Sequence, residues 1–132
     1  MAQSRTAIRP LTIFEGEPAV FVARITTAGG TAITSSDVTS VGVALFDMHA
    51  TDQATAVYEE SPIDPETVYF DTLQTDDYAN LLGDSGGYNF RYILDESQYP
   101  MGGGKRYRLQ IQSTISGAIH YQVYDISVLE IL

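Results

Sequence analysis

The sequence contains no cysteine and no tryptophan. Because it lacks cysteine, it has no disulfide framework, no thiolate metal site and no cysteine nucleophile, and its stability has to come from packing. Basic residues are scarce as well: 7 Lys and Arg stand against 17 Asp and Glu, which gives a formal net charge of −10. A surface of this charge repels nucleic acid and lacks the basic groove that nucleic-acid binding needs.

Long apolar runs are also missing. No stretch reaches the roughly 18 apolar residues that a membrane-spanning helix requires, and the N-terminal segment MAQSRTAIRPLTIFEGEP has no hydrophobic signal core. We therefore expect the protein to be made in, and used from, the cytoplasm. The length of 132 residues leaves room for one domain with its own core.

The sequence is rich in alternating patterns. In the runs PAVFVARIT, SVGVALFD, GYNFRYILD and KRYRLQIQ, apolar side chains recur at every second position, as in half-buried strands. Turn-forming segments separate the runs, and Ser116-Gly117 predicts a tight hairpin turn. The one helical signal is TDDYANLL over 75–82, where Thr75 is placed to cap a short turn. The pattern predicts an all-β, antiparallel two-sheet sandwich, immunoglobulin-like, with about seven to eight strands.

The glycines of YPMGGGKRYRLQIQ, residues 99–112, raise the question of a phosphate-binding loop. Such a loop needs Ser or Thr after its lysine and a helix whose N-terminus supplies amide hydrogens. Here Lys105 is followed by Arg106 and then by a strand pattern, so the glycines predict a turn. Tyr107 follows that turn, and in immunoglobulin-like folds a tyrosine at this point bonds back to the preceding loop.

The last run, AIHYQVYDISVLEIL, changes its apolar face part of the way along. Ile119, Tyr121 and Val123 share one face, whereas Ile126 and Val128 lie on the other. A β-bulge near 124–125 would restore one continuous inward face. The alternative is a strand that leaves one sheet and joins the second.

Candidate chemistry is sparse. His49 lies in a polar loop and His120 alternates outward, so neither predicts a metal site. Acidic residues cluster over 59–77, which we interpret as an extended acidic loop, with calcium binding as the alternative. No Gly-x-Ser-x-Gly elbow occurs, and nothing selects a catalytic pair among the carboxylates. We therefore expect no catalytic, cofactor-binding or metal site.

Tyrosines are abundant, with 9 in the chain. Those on the inward positions of the predicted strands build the core. Tyr58, Tyr78, Tyr99 and Tyr124 are candidates for amphipathic anchors at a protein interface, where tyrosine is enriched. A sugar-stacking platform is the alternative, which the lack of tryptophan makes weaker.

One long segment, GYNFRYILDESQYPMGGGKRYRLQIQSTISG, resembles the small immunoglobulin-like modules of tailed-bacteriophage virions. It combines a tyrosine-rich strand, a loop ending in Tyr-Pro, glycines, and Tyr-Arg-Leu-x-Ile before a Ser-Gly hairpin. The opening TIFEGEPAVFVARIT is similar to the first strands of such modules. The resemblance implies a non-enzymatic virion role: capsid decoration (cement), head-to-tail connection, or tail and baseplate scaffolding. Such modules have no catalytic residues and no cofactors.

The N-terminus suggests how such a module would be held. Residues 1–13 carry Arg5 and Arg9 and no acid, so we predict a docking arm ahead of a single domain over 14–132. The arm's apolar side chains would add a strand to the sheet of a partner, which we expect to be the major capsid protein or another copy of the chain. The predicted partner-binding residues are Arg5, Ile8, Arg9, Leu11, Ile13 and Tyr99. A carbohydrate-binding or host-recognition module is the alternative of another class.

Overall fold

The computed structural model describes residues 8–27, 29–83 and 86–131. These residues form eight strands arranged in two sheets, with five strands in one sheet and three in the other. The all-β two-sheet sandwich predicted from the alternating pattern is confirmed. The strands are β1 Ile8–Phe14, β2 Ala19–Ala23, β3 Val38–Asp47, β4 Tyr58–Glu60, β5 Tyr69–Gln74, β6 Tyr88–Leu94, β7 Arg106–Ile115 and β8 Ala118–Leu129.

The five-stranded sheet has the order β1-β8-β7-β3-β4, and the three-stranded sheet has the order β2-β6-β5. Immunoglobulin-like sandwiches place their second, fifth and fourth main strands in one sheet and their third, sixth and seventh in the other. The present order follows this arrangement for these six strands once β4 is counted as an added edge strand, whereas the first strand, β1, lies in the opposite sheet from the one that the constant-type arrangement gives it. One pairing departs from the predicted antiparallel sheet: β1 runs parallel to β8, with Ile8 opposite Val123 and Phe14 opposite Leu129.

The core lies between the sheets, where every second side chain of each strand points inward. Aromatic rings fill much of it: the rings of Phe21 and Tyr124 lie 4.8 Å apart and those of Tyr69 and Phe90 lie 5.0 Å apart. Such tilted pairs stabilise a core beyond the area that they bury. The largest fully buried apolar side chains are Tyr88, Tyr107, Phe21, Phe90, Leu45, Leu94, Leu109, Ile111, Ile126 and Val41.

Asn89 is a buried polar residue that the alternating pattern places on the outward face of its strand. Its side chain accepts a hydrogen bond from the Ile25 N–H at 2.7 Å and donates to the carbonyls of Ile25 and Ile33, each at 2.8 Å. These bonds satisfy the amide fully enough to allow its burial. They also tie the loop after β2 to β6.

The segment 59–77 is more ordered than the extended loop predicted for it. It contains the end of β4, a helical turn α1 at Pro65–Val68, and β5. The Asp64 carboxylate accepts the Glu66 N–H, and Pro65 occupies the first turn, where its missing N–H costs nothing. The helical turn expected near 75–82 is confirmed as a 3₁₀ helix at Asp77–Leu82, but its cap is Asp76 rather than Thr75.

Both predicted turns are confirmed. Ser116 and Gly117 have φ of 49° and 81°, and they join the paired residues Ile115 and Ala118 in a two-residue hairpin. The glycines after Met101 form a turn rather than a helix N-terminus, and β7 follows directly. The Tyr107 hydroxyl accepts the Gly102 N–H at 2.8 Å, which is the bond to the preceding loop expected at this position.

The predicted boundary between an arm and a domain at 13/14 does not appear in the fold. Residues 8–13 lie in β1, which is an edge strand of the chain's own sheet. A strand with alternating apolar residues can bury them by pairing with an open edge of a sheet, and β1 pairs with the edge of β8. Within the described residues, no helix is long and apolar enough to cross a membrane.

Candidate interaction surface

The outer face of the five-stranded sheet carries the largest set of exposed apolar side chains on strands. We call this surface the bare face, because no described helix or strand packs over it. Toward one edge, Gly42 and Ala44 of β3 expose little more than backbone. The exposed apolar side chains lie on the opposite side of the sheet, on β1 and β8: Ile8, Phe14, Ile119, Tyr121 and Leu129.

The bare face is close to electrically neutral although the whole chain carries a net charge of −10. Its strands contribute two acids, Glu59 and Asp125, and two cations, Arg106 and Arg108. Arg108 donates from Nε to Asp125 Oδ1 at 2.8 Å across β7 and β8. An approaching protein therefore meets a surface of balanced charge, with exposed apolar side chains on β1 and β8, rather than the general negative field.

A shallow groove crosses the bare face over Gly42 and Ala44. Gln110 and Gln112 form its floor on β7, and Tyr121 forms one wall. A Cβ on Gly42 would lie 3.2 Å from the Ser61 Oγ, so the close approach of the segment just after β4 leaves little room for a side chain at this position. Glutamine amides beside an aromatic ring provide hydrogen-bond donors and acceptors next to apolar surface, which is the composition of a protein interface.

The outer face of the three-stranded sheet is covered by the chain itself, and we call it the covered face. The Asp77–Leu82 turn lies over it and forms a second, smaller core of Val22, Ala79 and Tyr88. Tyr88 is fully buried there, and its hydroxyl donates to Asp76, the residue that caps the turn.

Arg91 holds the covering turn in place. Its guanidinium carbon lies 5.3 Å from the centre of the Phe70 ring and 5.0 Å from that of Tyr78, within cation–π range. It also donates to the Tyr88 hydroxyl at 3.1 Å. Arg91 thus contacts both Phe70 on the neighbouring strand β5 and Tyr78 in the covering turn.

The β-bulge predicted near 124–125 is absent, and β8 does not switch sheets. The register between β7 and β8 runs unbroken from Arg106 opposite Ser127 to Ile115 opposite Ala118. The apolar face changes because β8 has two different surroundings. Its second half buries Tyr124, Ile126 and Val128 in the core, whereas its first half exposes Ile119 and Tyr121 on the bare face.

The predicted partner-binding residues separate into three groups. Arg5 lies outside the described residues. Ile8 and Arg9 are exposed on β1, so they remain available to a partner. Ile13 is only 8% exposed and belongs to the core, against which Leu11 and Tyr99 pack. The partner-binding prediction is therefore wrong for Ile13, which the chain's own sandwich buries. For Leu11 and Tyr99, which are half-buried, it stays a prediction.

The tyrosines predicted as interface anchors are divided in the same way. Tyr124 is buried, and Tyr58 and Tyr99 pack together at 6.3 Å beside the core. Exposed tyrosines among the described residues are Tyr78, 38% exposed on the covered face, and Tyr121, 48% exposed on the bare face. Sequence reasoning missed Tyr121 because it assigned that side chain to an inward face.

The acidic residues of 59–77 serve separate structural roles. Glu60 accepts the Tyr92 hydroxyl at 2.9 Å, and burial raises the pKa of that tyrosine above its ordinary value. Asp71 accepts from Ser35, and Asp64 and Asp76 cap helical turns. Within the described residues, no three His, Asp or Glu side chains converge as metal ligands.

Asp47 anchors the glycine turn to the end of β3. Its carboxylate accepts the His49 N–H at 2.8 Å and the Lys105 ammonium at 3.1 Å. The His49 hydrogen bond and the neighbouring Lys105 lower the pKa of Asp47 below its ordinary value, against a smaller opposing effect of burial. His49 contributes here through its backbone.

In comparisons with known proteins, no family model and no curated sequence matches this chain.

Proposed function

We propose that this chain is a non-enzymatic structural protein of a tailed-bacteriophage virion, acting as a capsid decoration (cement) protein. In this role it is made in the host cytoplasm and binds the major capsid protein and copies of itself in a symmetric shell. The single observation that carries the proposal is the bare face: a nearly neutral sheet surface with exposed apolar side chains on β1 and β8, on a strongly acidic protein. Proteins that expose such a patch use it to contact other proteins.

Two further features support the same role. The sequence resemblance to virion modules extends through β6 and β7, where Tyr107 makes the bond to the glycine turn typical of immunoglobulin-like folds. The net charge of −10 keeps densely displayed copies apart except where the neutral face allows contact. A cement protein needs both properties.

The alternative of a sugar-binding module finds less support. A stacking platform requires aromatic rings side by side on one surface, whereas the exposed Tyr78 and Tyr121 lie on opposite outer faces.

The proposal is tested on particles of the virus that encodes the chain. Mass spectrometry of purified virions should find the chain in many copies per particle. A Tyr121→Lys variant should bind particles at least about tenfold more weakly than the native chain, because it places a charge among the exposed apolar side chains of β8. Leu81→Lys, on the exposed covering turn, is the matched control and should bind normally. Absence of the chain from virions, or equal binding by both variants, would contradict the proposal.

A further inference from the structure

Within the described part of the chain, the first half of β8 has an open edge. Strand β1 pairs with β8 only from Val123 to Leu129, whereas β8 begins at Ala118. Among the residues that the structure describes, none pairs with the outer side of 118–122. On the other side, the same stretch is fully paired with β7, from Ile115 opposite Ala118 onward.

The hydrogen-bonding groups on this edge belong to Ile119 and Tyr121. In a strand, successive residues direct their N–H and C=O groups to opposite sides. The Val128 N–H donates toward β7, to the Lys105 carbonyl, and the Leu129 carbonyl accepts from Glu15 next to β1. Counting back in steps of two, Ile119 and Tyr121 point their backbone groups away from β7, toward the open side.

The open edge lacks the features that protect edge strands. Proteins blunt such edges with charges, prolines, bulges or very short strands. The β1 edge carries Pro10, the β4 edge has three residues with two glutamates, and the pairing of β5 is irregular. The β2 edge is uncharged but only five residues long. The sequence from 109 to 124 contains no charged residue and no proline.

We propose that this edge binds the same edge of a second copy, in an antiparallel pairing around a twofold axis at His120. Ile119 of one copy then lies opposite Tyr121 of the other, and both pairs form reciprocal backbone hydrogen bonds. A β-branched residue opposite an aromatic one is a favourable cross-strand pair. A twofold interface uses the same patch on both copies, and this segment is its own complement.

Charge is the reason for choosing a second copy as the occupant. Two chains of charge −10 repel each other unless they meet where acids are absent. The hairpin formed by β7 and β8 meets this condition, because its acid nearest the edge, Asp125, is already paired with Arg108. The proposal goes beyond the virion role and does not depend on it.

The main-chain test uses proline. Ile119→Pro removes an N–H that points to the open edge and not to β7, so the fold tolerates it as edge strands tolerate proline. Sedimentation of the full chain should show a concentration-dependent dimer that weakens at least about tenfold in this variant. Ile119→Val keeps the N–H and a branched apolar side chain, so it should dimerise like the native chain.

The second test does not depend on proline. At the twofold axis, the two His120 residues form a pair without mutual hydrogen bonds, with Cα atoms about 4.5 Å apart, which lies within the range of a disulfide. The chain has no cysteine, so His120→Cys is the only thiol in that variant. Under mild oxidation it should form a covalent dimer rapidly, whereas Thr51→Cys in an exposed loop should not. A native chain that stays monomeric, equal cross-linking of both variants, or dimerisation that requires deletion of residues 1–7 would overturn the proposal.

Discussion

The outer faces of the two sheets differ in how far the chain itself shields them from solvent. Each sheet has one side against the shared core and one side toward solvent. The covered face buries Tyr88 beneath the Asp77–Leu82 turn, whereas the bare face leaves Tyr121 half exposed beside the small residues of β3. The chain thus completes its own packing on one side and, within the described residues, leaves the other side without a covering element.

The largest expected effect compares one tyrosine from each face. Tyr88→Ala removes a fully buried ring and its hydrogen bond to Asp76, and it should reduce the free energy of unfolding by about 3–5 kcal/mol. Tyr121→Ala should cost much less, about 1 kcal/mol, because about half of the residue is still in contact with water. Denaturant unfolding of both variants measures the difference. Similar losses in both would show that the bare face is packed like the covered one.

A smaller effect compares two arginines. Arg91→Met removes the cation that contacts Phe70 and Tyr78, and it should cost about 1–2 kcal/mol. Arg108→Met removes a solvent-accessible ion pair with Asp125 and should cost about 0–1 kcal/mol. Thermal unfolding ranks the two variants. The reverse order would mean that the ion pair on the bare face, rather than the arginine on the covered face, is the stronger support.

The smallest expected effect on stability concerns Asp47, the last residue of β3 in the five-stranded sheet. Folding lowers the pKa of Asp47, so its ionised form stabilises the fold above the ordinary carboxyl range, and this contribution is lost as the pH falls through the lowered pKa. Asp47→Asn lacks the contribution at every pH. The stability difference between the native chain and this variant should therefore be larger at neutral pH than at about pH 3. A difference that grows on acidification would contradict the assignment.

Most of the fold could be predicted from the sequence because strand alternation and turn residues act locally. The alternating runs, the Ser116-Gly117 hairpin and the tyrosine after the glycines all have local signatures. Helix α1 also has a local signature, an Asp-Pro-Glu start, although the many acidic residues around it favour the interpretation as a loop.

The errors arose where contacts between residues distant in the sequence determine which strands pair and which side chains are buried. A strand pattern does not reveal which sheet receives it, so the alternating residues of β1 predicted an arm for a partner although they pair with β8. The change of apolar face along β8 predicted a bulge, because the sequence does not show where the opposite sheet ends. Asn89 shows the same limitation, since its burial depends on carbonyls far away along the chain. The bare face became recognisable only once the strand order was known.

The most direct measurement of the central claim is side-chain footprinting of the native assembly with hydroxyl radicals. Tyr121 and Tyr78 are matched reporters, being 48% and 38% exposed on opposite outer faces. In the isolated chain under dilute conditions, both should be oxidised at comparable rates. In the assembly, Tyr121 should become protected while Tyr78 continues to react. Protection of Tyr78 with Tyr121 still reactive would contradict the assignment of the bare face as the contact surface.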